Sequence, residues 1–302
     1  MIEKPNPIKV AELQNRRGRS RLDFFKYQLE GARGSLDEIE KYLDPEGKEI
    51  LDVGCGSGGN SVYFALNGFK VTAVDNQSYD DEVLKSAIAA AEDKGVKIEF
   101  CFADAHCLPF KPASFHVVRL DSVLEHLNKP EVAVMECKRV LKAGGYLFVN
   151  FPLFFSSFGG HTFDYIKVPW LHLLPTSWVC KILRCLKSKP GFITTKYVEK
   201  LYMSLNRMTR KNYKKIIEKC NLNEIFFEET LFLPHRASLF FGKIKKSVSS
   251  KSFKLWKEAF NDFNFISVIV FVFLYLLYRI PFRSFEPFNE VFTSGIRSIL
   301  RK

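Results

Sequence analysis

The sequence predicts an α/β fold built on a parallel sheet with helices on both faces. Two observations carry this. Between residues 48 and 151 apolar, strand-like runs alternate with helical segments, the pattern of a sheet covered on both sides. The first run ends in ILDVGCGSGGN, residues 50–60, where four glycines fall within six residues of a strand end. In order, KEILDV is a strand and GNSVYFALNG a helix closed by Gly68. FKVTAVD is the second strand, and DDEVLKSAIAAAEDKG an amphipathic helix with Gly95 at its left-handed end. VKIEFCFAD and SFHVVRLD are the third and fourth strands. KPEVAVMECKRVLKAGG is a helix running into a Gly-Gly stop, and YLFVNFP the fifth strand.

The alternation breaks at Pro152. Residues 152–208 are aromatic, Gly/Pro-punctuated and irregular. It resumes with TRKNYKKIIEKCNL as a helix and NEIFFEETLF as a strand, and ASLFFGKIKK is expected as the last, antiparallel strand. The expected organisation is a basic N-terminal segment (1–47), a core (48–151), a lid insertion (152–208), the end of the fold (209–246) and an apolar tail (247–302).

Composition narrows the partners. The 302 residues carry a formal charge of +12 and thirty phenylalanines, which suits an anionic partner such as a membrane surface or nucleic acid. The start, MIEKPNPIKV, lacks the apolar core of a secretory signal. Seven cysteines without C-x-x-C pairing argue against a disulfide framework and against a zinc site, so no metal is expected.

Gly54, Gly56 and Gly59 match G-x-G-x-x-G, a weak signal alone. Asp52 stands two residues before Gly54. A carboxylate there would repel a pyrophosphate and suits a ligand carrying positive charge. Asp75 ends the second strand at the place of a ribose-binding acid. Asp104 and Ala105 end the third strand, where a carboxylate and the next N–H would face an adenine ring.

LDVGCGSGG, VTAVD, FADAHCLPF, SFHVV, VLEHL and RVLKAGGYLFV occur in that order over residues 48–151. Together they resemble the class I S-adenosylmethionine (SAM)-dependent methyltransferases, in particular the type 11 group. The resemblance implies a Rossmann-like seven-stranded sheet with its final strand reversed and SAM across the strands' carboxyl ends. It places Asp52, Gly54, Gly56 and Gly58 at the methionine part, Asp75 and Asn76 at the ribose, Asp104 and Ala105 at the adenine, and Leu120 and Asp121 beside the sulfonium. His116 and Arg119 depart from the group's usual residues, and neither is expected to touch the glycine loop.

Two histidines are candidates for a general base. His126 lies in VLEHL, with Glu125 before it in a structural role. His161 lies in FFSSFGGHTFDYIKVPWLHLLP, with Asp164 as its expected orienting acid. The GGH…D…PW pattern resembles lids of methyltransferases that act on polysaccharide or lipid-linked sugars.

Residues 263–278, FNFISVIVFVFLYLLY, hold no charge. As a helix they rise about 24 Å, short of a bilayer core of roughly 30 Å. Lys251, Lys254 and Lys257 precede the run, and Arg279 and Arg283 follow it. Basic ends on both sides favour a re-entrant or monotopic helix at the cytoplasmic face over a span. Phe285, Phe288, Phe292, Ile296 and Ile299 have the spacing of an interfacial amphipathic helix. Trp170, Leu173, Leu174, Trp178, Ile182 and Leu183 form a second apolar surface in the lid.

The expectation is therefore a methyltransferase, peripheral to or seated in the cytoplasmic face of a membrane, that O-methylates a lipid or lipid-linked glycan. The alternatives are a cytoplasmic enzyme acting on a soluble small molecule or RNA, and a SAM-binding assembly factor without turnover.

Overall fold

The computed structural model describes residues 20–76, 88–89, 91–156, 159–162, 166, 170–186, 194–231 and 293–302. Two helices, α1 (Arg21–Gly31) and α2 (Arg33–Ile39), precede the sheet. Ser20 starts α1 by accepting a hydrogen bond from the Asp23 amide, which satisfies one of the unpaired N–H groups of the first turn. The alternating core follows: β1 (Glu49–Val53), α3 (Gly59–Leu66), β2 (Lys70–Asp75), β3 (Ile98–Phe102), β4 (Phe115–Asp121), α4 (Pro130–Val140) and β5 (Leu141–Phe151). Helices α5 (Thr176–Cys185), α6 (Thr195–Ser204) and α7 (Arg210–Cys220) lead to β6 (Asn223–Leu231) and β7 (Thr293–Arg301).

The seven strands form one sheet in the order β3-β2-β1-β4-β5-β7-β6. The first five pair in parallel, while β7 runs antiparallel to both β5 and β6. This is the α/β sheet the sequence predicts, reversed final strand included. Ile50, Leu51, Asp52 and Val53 are all buried, as a central parallel strand requires. One core on one face joins Leu51, Val118, Leu147 and Leu300 to Val134 of α4 and Ile217 of α7. Another on the opposite face joins Ile50, Val117, Phe148 and Ile299 to Ile39 of α2 and Phe64 of α3.

Two sequence expectations are corrected here. Helix α4 stops at Val140, and Gly144-Gly145 lies inside β5 rather than ending the helix. Pairing jumps from Phe115–Leu141 to Val117–Tyr146, so residues 142–145 bulge out of the ladder, with Gly144 at φ +74°. Such a bulge uses the left-handed backbone that glycine adopts at no steric cost.

The larger correction concerns the C-terminus. Ile296 and Ile299 were expected on an interfacial helix, yet Thr293–Arg301 is strand β7, inserted between β5 and β6. Ile296, Ile299 and Leu300 are buried in the two cores. An alternating stretch flanked by cations satisfies a helical and a strand template alike, and three-dimensional pairing selected the strand. The expected last strand, ASLFFGKIKK, lies outside the described residues, as does the apolar run 263–278.

Candidate active site

The glycine turn sits at the carboxyl end of β1. Gly54, Gly56 and Gly58 have φ of +74°, +58° and +78°, a region that side-chain-bearing residues rarely adopt. Amides of Gly54 and Cys55 donate to the Val74 carbonyl, and that of Gly56 donates to the Asp75 carboxylate at 3.0 Å. Gly58 caps α3 in the left-handed conformation. The glycines also serve the protein's own packing. A Cβ on Gly54 would strike Val123 Cγ2, and one on Gly59 would strike the Phe25 carbonyl of α1. Gln28 of α1 holds the turn, donating to the Cys55 carbonyl and accepting from the Gly59 amide. No local motif signals Gln28, because its partners lie 27 and 31 residues away.

Asp52, expected at the methionine part of the ligand, has its carboxylate engaged within the protein. It is wholly buried. One carboxylate oxygen accepts from Ser61 Oγ at 2.7 Å and the other from Arg119 Nη1 at 2.9 Å. Arg119, 4% exposed, pairs with Asp121 as well and lies over the Phe64 ring. Burial opposes the guanidinium's charge, but Asp121 and Asp52 outweigh it and hold its pKa above the ordinary value. Arg119 thus contacts Asp52, Asp121 and Phe64, outside the glycine turn itself. His116 does stand apart, with Glu49 and Lys142 at the other end of the sheet.

Asp75 ends β2, nearly buried, and the exposed Asn76 follows it. Asp104 lies just beyond β3. The His106 amide and ring both bond its carboxylate, at 2.9 and 2.6 Å, and these bonds hold its pKa below the usual carboxylate range. Ala105 is buried beside it. The loop is fixed to α4, since Leu108 N donates to Glu136 and Arg139 donates to the carbonyls of Leu108 and Phe110. Leu120 is buried at the end of β4, and Asp121 accepts from Asn150 Nδ2 at 2.7 Å. A cavity of about 360 Å³ opens here, lined by Tyr27, Glu38, Arg119, Asp121, Asn150 and Arg297 among others. Those side chains are polar and of mixed charge.

A second cluster follows β4 in the 3₁₀ turn Leu124–His126. Asn206 clamps this turn, its Nδ2 donating to the carbonyls of Leu124 and Leu127 and its amide to that of Glu125. Glu125 is 2% exposed. Its Oε1 stands 3.9 Å from His126 Nε2 and 3.8 Å from His161 Nε2, beyond hydrogen-bond reach. The two imidazoles stack with centroids 4.9 Å apart. Burial raises the Glu125 pKa above its ordinary value, opposed by His161. Burial pushes His126 down to about 3, with His161 adding to the shift. His161 lies at φ +55°, backbone strain of a kind concentrated at functional sites. The structure thus brings together the two expected histidines. The acid beside His161 is Glu125, while the expected partner Asp164 lies outside the described residues. The sequence pointed to Glu125 only through its adjacency to His126.

Residues 51–149 match the family described as a methyltransferase domain. The chain thus carries a class I SAM-dependent methyltransferase core: the matched segment runs from β1 into β5, and β6 and β7 complete the seven-stranded sheet from outside it. Among curated relatives it is similar to the ubiquinone biosynthesis O-methyltransferases of Chromobacterium violaceum and Idiomarina loihiensis. Identities are 35% over 116 residues and 40% over 117, each covering 38% of this chain. The matches take in 49% and 47% of those relatives, so the chain spans about half of their length. In fold it is similar to a putative sarcosine dimethylglycine methyltransferase from Galdieria sulphuraria (TM-score 0.53, 14% identity, covering 91% of this chain and 86% of that one). It is also similar to the [4+2]-cyclase SpnF (0.50, 16%, 90% and 80%). A phosphoethanolamine N-methyltransferase from Haemonchus contortus in complex with SAM is a third (0.50, 15%, 89% and 52%).

Proposed function

We propose that the protein is a SAM-dependent O-methyltransferase acting at a membrane surface on a lipid or lipid-linked hydroxyl acceptor. One observation carries the catalytic part: the Val123–His126 turn packs on Gly54, so Glu125 and His126 stand beside the glycine turn of a methyltransferase core. The residues fit SAM in its adenosine half. Asp75 ends β2 and Asp104 follows the end of the neighbouring β3, placing carboxylates for a ribose diol and, with Ala105, an adenine edge. Gly54, Gly56 and Gly58 offer backbone without side chains for the remainder. Bound there, SAM supplies a methyl group on a sulfonium, activated for in-line displacement.

The chain's own residues then align the acceptor and manage its proton. Alignment alone accounts for much of the acceleration in such transfers. Burial pushes the His126 pKa down to about 3, far below the operating pH that suits a general base, so His126 positions the acceptor. His161, stacked on it, is the imidazole left to take the proton.

Three observations support a membrane lipid as the acceptor class. The curated relatives are named for ubiquinone biosynthesis. Trp178 is 62% exposed, and Leu173, Leu174, Leu186 and Met203 are exposed with it on or beside α5 and α6. Residues 232–292 contain the uncharged run, and they leave and rejoin the sheet at one point, because Leu231 pairs with Thr293. Both ends of that segment therefore lie on the same side of any membrane. Re-entrant or interfacial seating is the reading of residues 263–278 that agrees with such ends. No helix among the described residues is long and apolar enough to cross a membrane.

Incubating the protein with methyl-labelled SAM and fractionated membranes tests the reading. Label in a base-stable lipid ether is the expected result. Label in an RNA or soluble small-molecule fraction would move the substrate to that class. SAM binding without any labelled product would favour a non-catalytic factor, since a fold does not by itself dictate methyl transfer.

A further inference from the structure

We infer that Glu125, His126 and His161 form a divalent transition-metal site whose open positions take a hydroxyl oxygen of the acceptor. The acceptor part of this inference rests on the O-methyltransferase reading, while the metal site itself does not. One ligand atom from each of the three side chains lies within 4.8 Å of the others. Glu125 Oε1 stands 3.9 and 3.8 Å from the two Nε2 atoms. These separations are too long for hydrogen bonds and close to what two ligands show across a shared ion. With bonds of about 2.1 Å, tetrahedral ligands stand roughly 3.4 Å apart, so Glu125 must close on each imidazole by about half an ångström, and the two imidazoles, within 4.8 Å of each other, turn inward to complete the site.

The site's chemistry points the same way. Both carboxylate oxygens of Glu125 are buried without a hydrogen-bond partner, a costly arrangement unless something else satisfies them. A cation held by one carboxylate and two imidazoles satisfies them directly. The imidazole side chains are 25% and 17% exposed, against 3% for Glu125, so the carboxylate forms the floor and the histidines the mouth. Asn206 fixes the turn that carries two of the three ligands, the outer support that metal sites commonly have.

Two imidazoles and one carboxylate suit Zn²⁺, Fe²⁺, Co²⁺ or Mn²⁺ better than Ca²⁺ or Mg²⁺, which prefer oxygen ligands. Three protein ligands leave one or more positions open, as in catalytic rather than structural sites. An acceptor hydroxyl entering there loses its proton to solvent as the O–H bond breaks, and the oxygen keeps its electron pair on the metal, poised as a nucleophile.

The test is a Co²⁺ titration of the full-length, chelator-treated protein, followed by visible ligand-field absorption. One saturable Co²⁺ per chain is expected, with the band shifted by Zn²⁺ competition. Glu125→Gln and His161→Gln should each weaken binding by at least the 10–100-fold that loss of a mere supporting partner costs. His172→Gln, altered outside the cluster, should bind as the parent does. Glu125→Gln keeps the side chain's shape and removes a buried charge, so it decides the matter if His161→Gln fails to fold by circular dichroism. Absence of saturable binding, or unchanged binding in Glu125→Gln, overturns the site. Calorimetry with SAM on the same samples keeps the two ideas apart. Co²⁺ binding without methylation of any lipid fraction leaves the metal site standing and removes the acceptor reading. Methylation without Co²⁺ binding does the reverse.

Discussion

Asp52 and Arg119 show how far one side chain's surroundings redefine it. In sequence Asp52 is a carboxylate before a glycine turn; in the fold it is a buried anion held by Ser61 and Arg119. Removing the cation strands that charge, so Arg119→Met is expected to cost about 3–5 kcal/mol, measured by urea unfolding. Asp75→Ala is expected to abolish SAM binding in calorimetry while the protein stays folded, and equal affinity in the variant would remove the pocket assignment. His172 gives a pH prediction. Burial lowers its pKa to about 4 in the folded state, from an ordinary 6.5, while its Nε2 bonds the Phe154 carbonyl at 2.6 Å. A depressed folded pKa means that the unfolded chain takes up the proton first. This contribution is therefore fully present above about pH 6.5 and is lost as pH falls toward 4. It amounts to roughly 3 kcal/mol. His172→Gln should flatten the loss of stability over that window, followed by denaturant midpoints against pH.

At the scale of elements, the glycine turn is where local code and packing overlap. The run of glycines was legible as a turn at a strand end, but the neighbours that forbid a side chain there were not. Gly59 is required by the Phe25 carbonyl of α1, an element absent from the motif. Gly59→Ala is accordingly expected to unseat α1 at a cost of about 1–3 kcal/mol and to release Gln28 from the turn. Faster amide exchange in residues 21–31 would register that, and unchanged protection would contradict it. Most element boundaries in residues 48–151 were also legible, because strand and helix periods are local properties of the chain. The end of α4 was not, since a Gly-Gly pair reads as a helix stop and only the pairing of β5 with β4 turns it into a bulge.

For the whole molecule, the placement of β7 changes what truncation means. Strand β7 sits between β5 and β6, so a chain ending at residue 292 is expected not to fold, whatever its relation to membranes. Excising residues 263–278 while keeping β7 is the informative variant. It is expected to fold, by circular dichroism, and to lose sedimentation with anionic vesicles; retained sedimentation would argue against anchoring by that run. What the sequence by itself determined is the alternating α/β core, its glycine turn and the methyltransferase class, because these are written in local periodicity and in short motifs of fixed spacing. The tertiary structure decided the rest. Only folding brings His161 to Glu125 and His126, separated from it by some 35 residues, and commits Asp52 to Arg119 across 67. Only pairing with β5 and β6 makes Thr293–Arg301 a strand rather than a helix. Such contacts depend on which strand lies beside which, and no window along the chain contains that information.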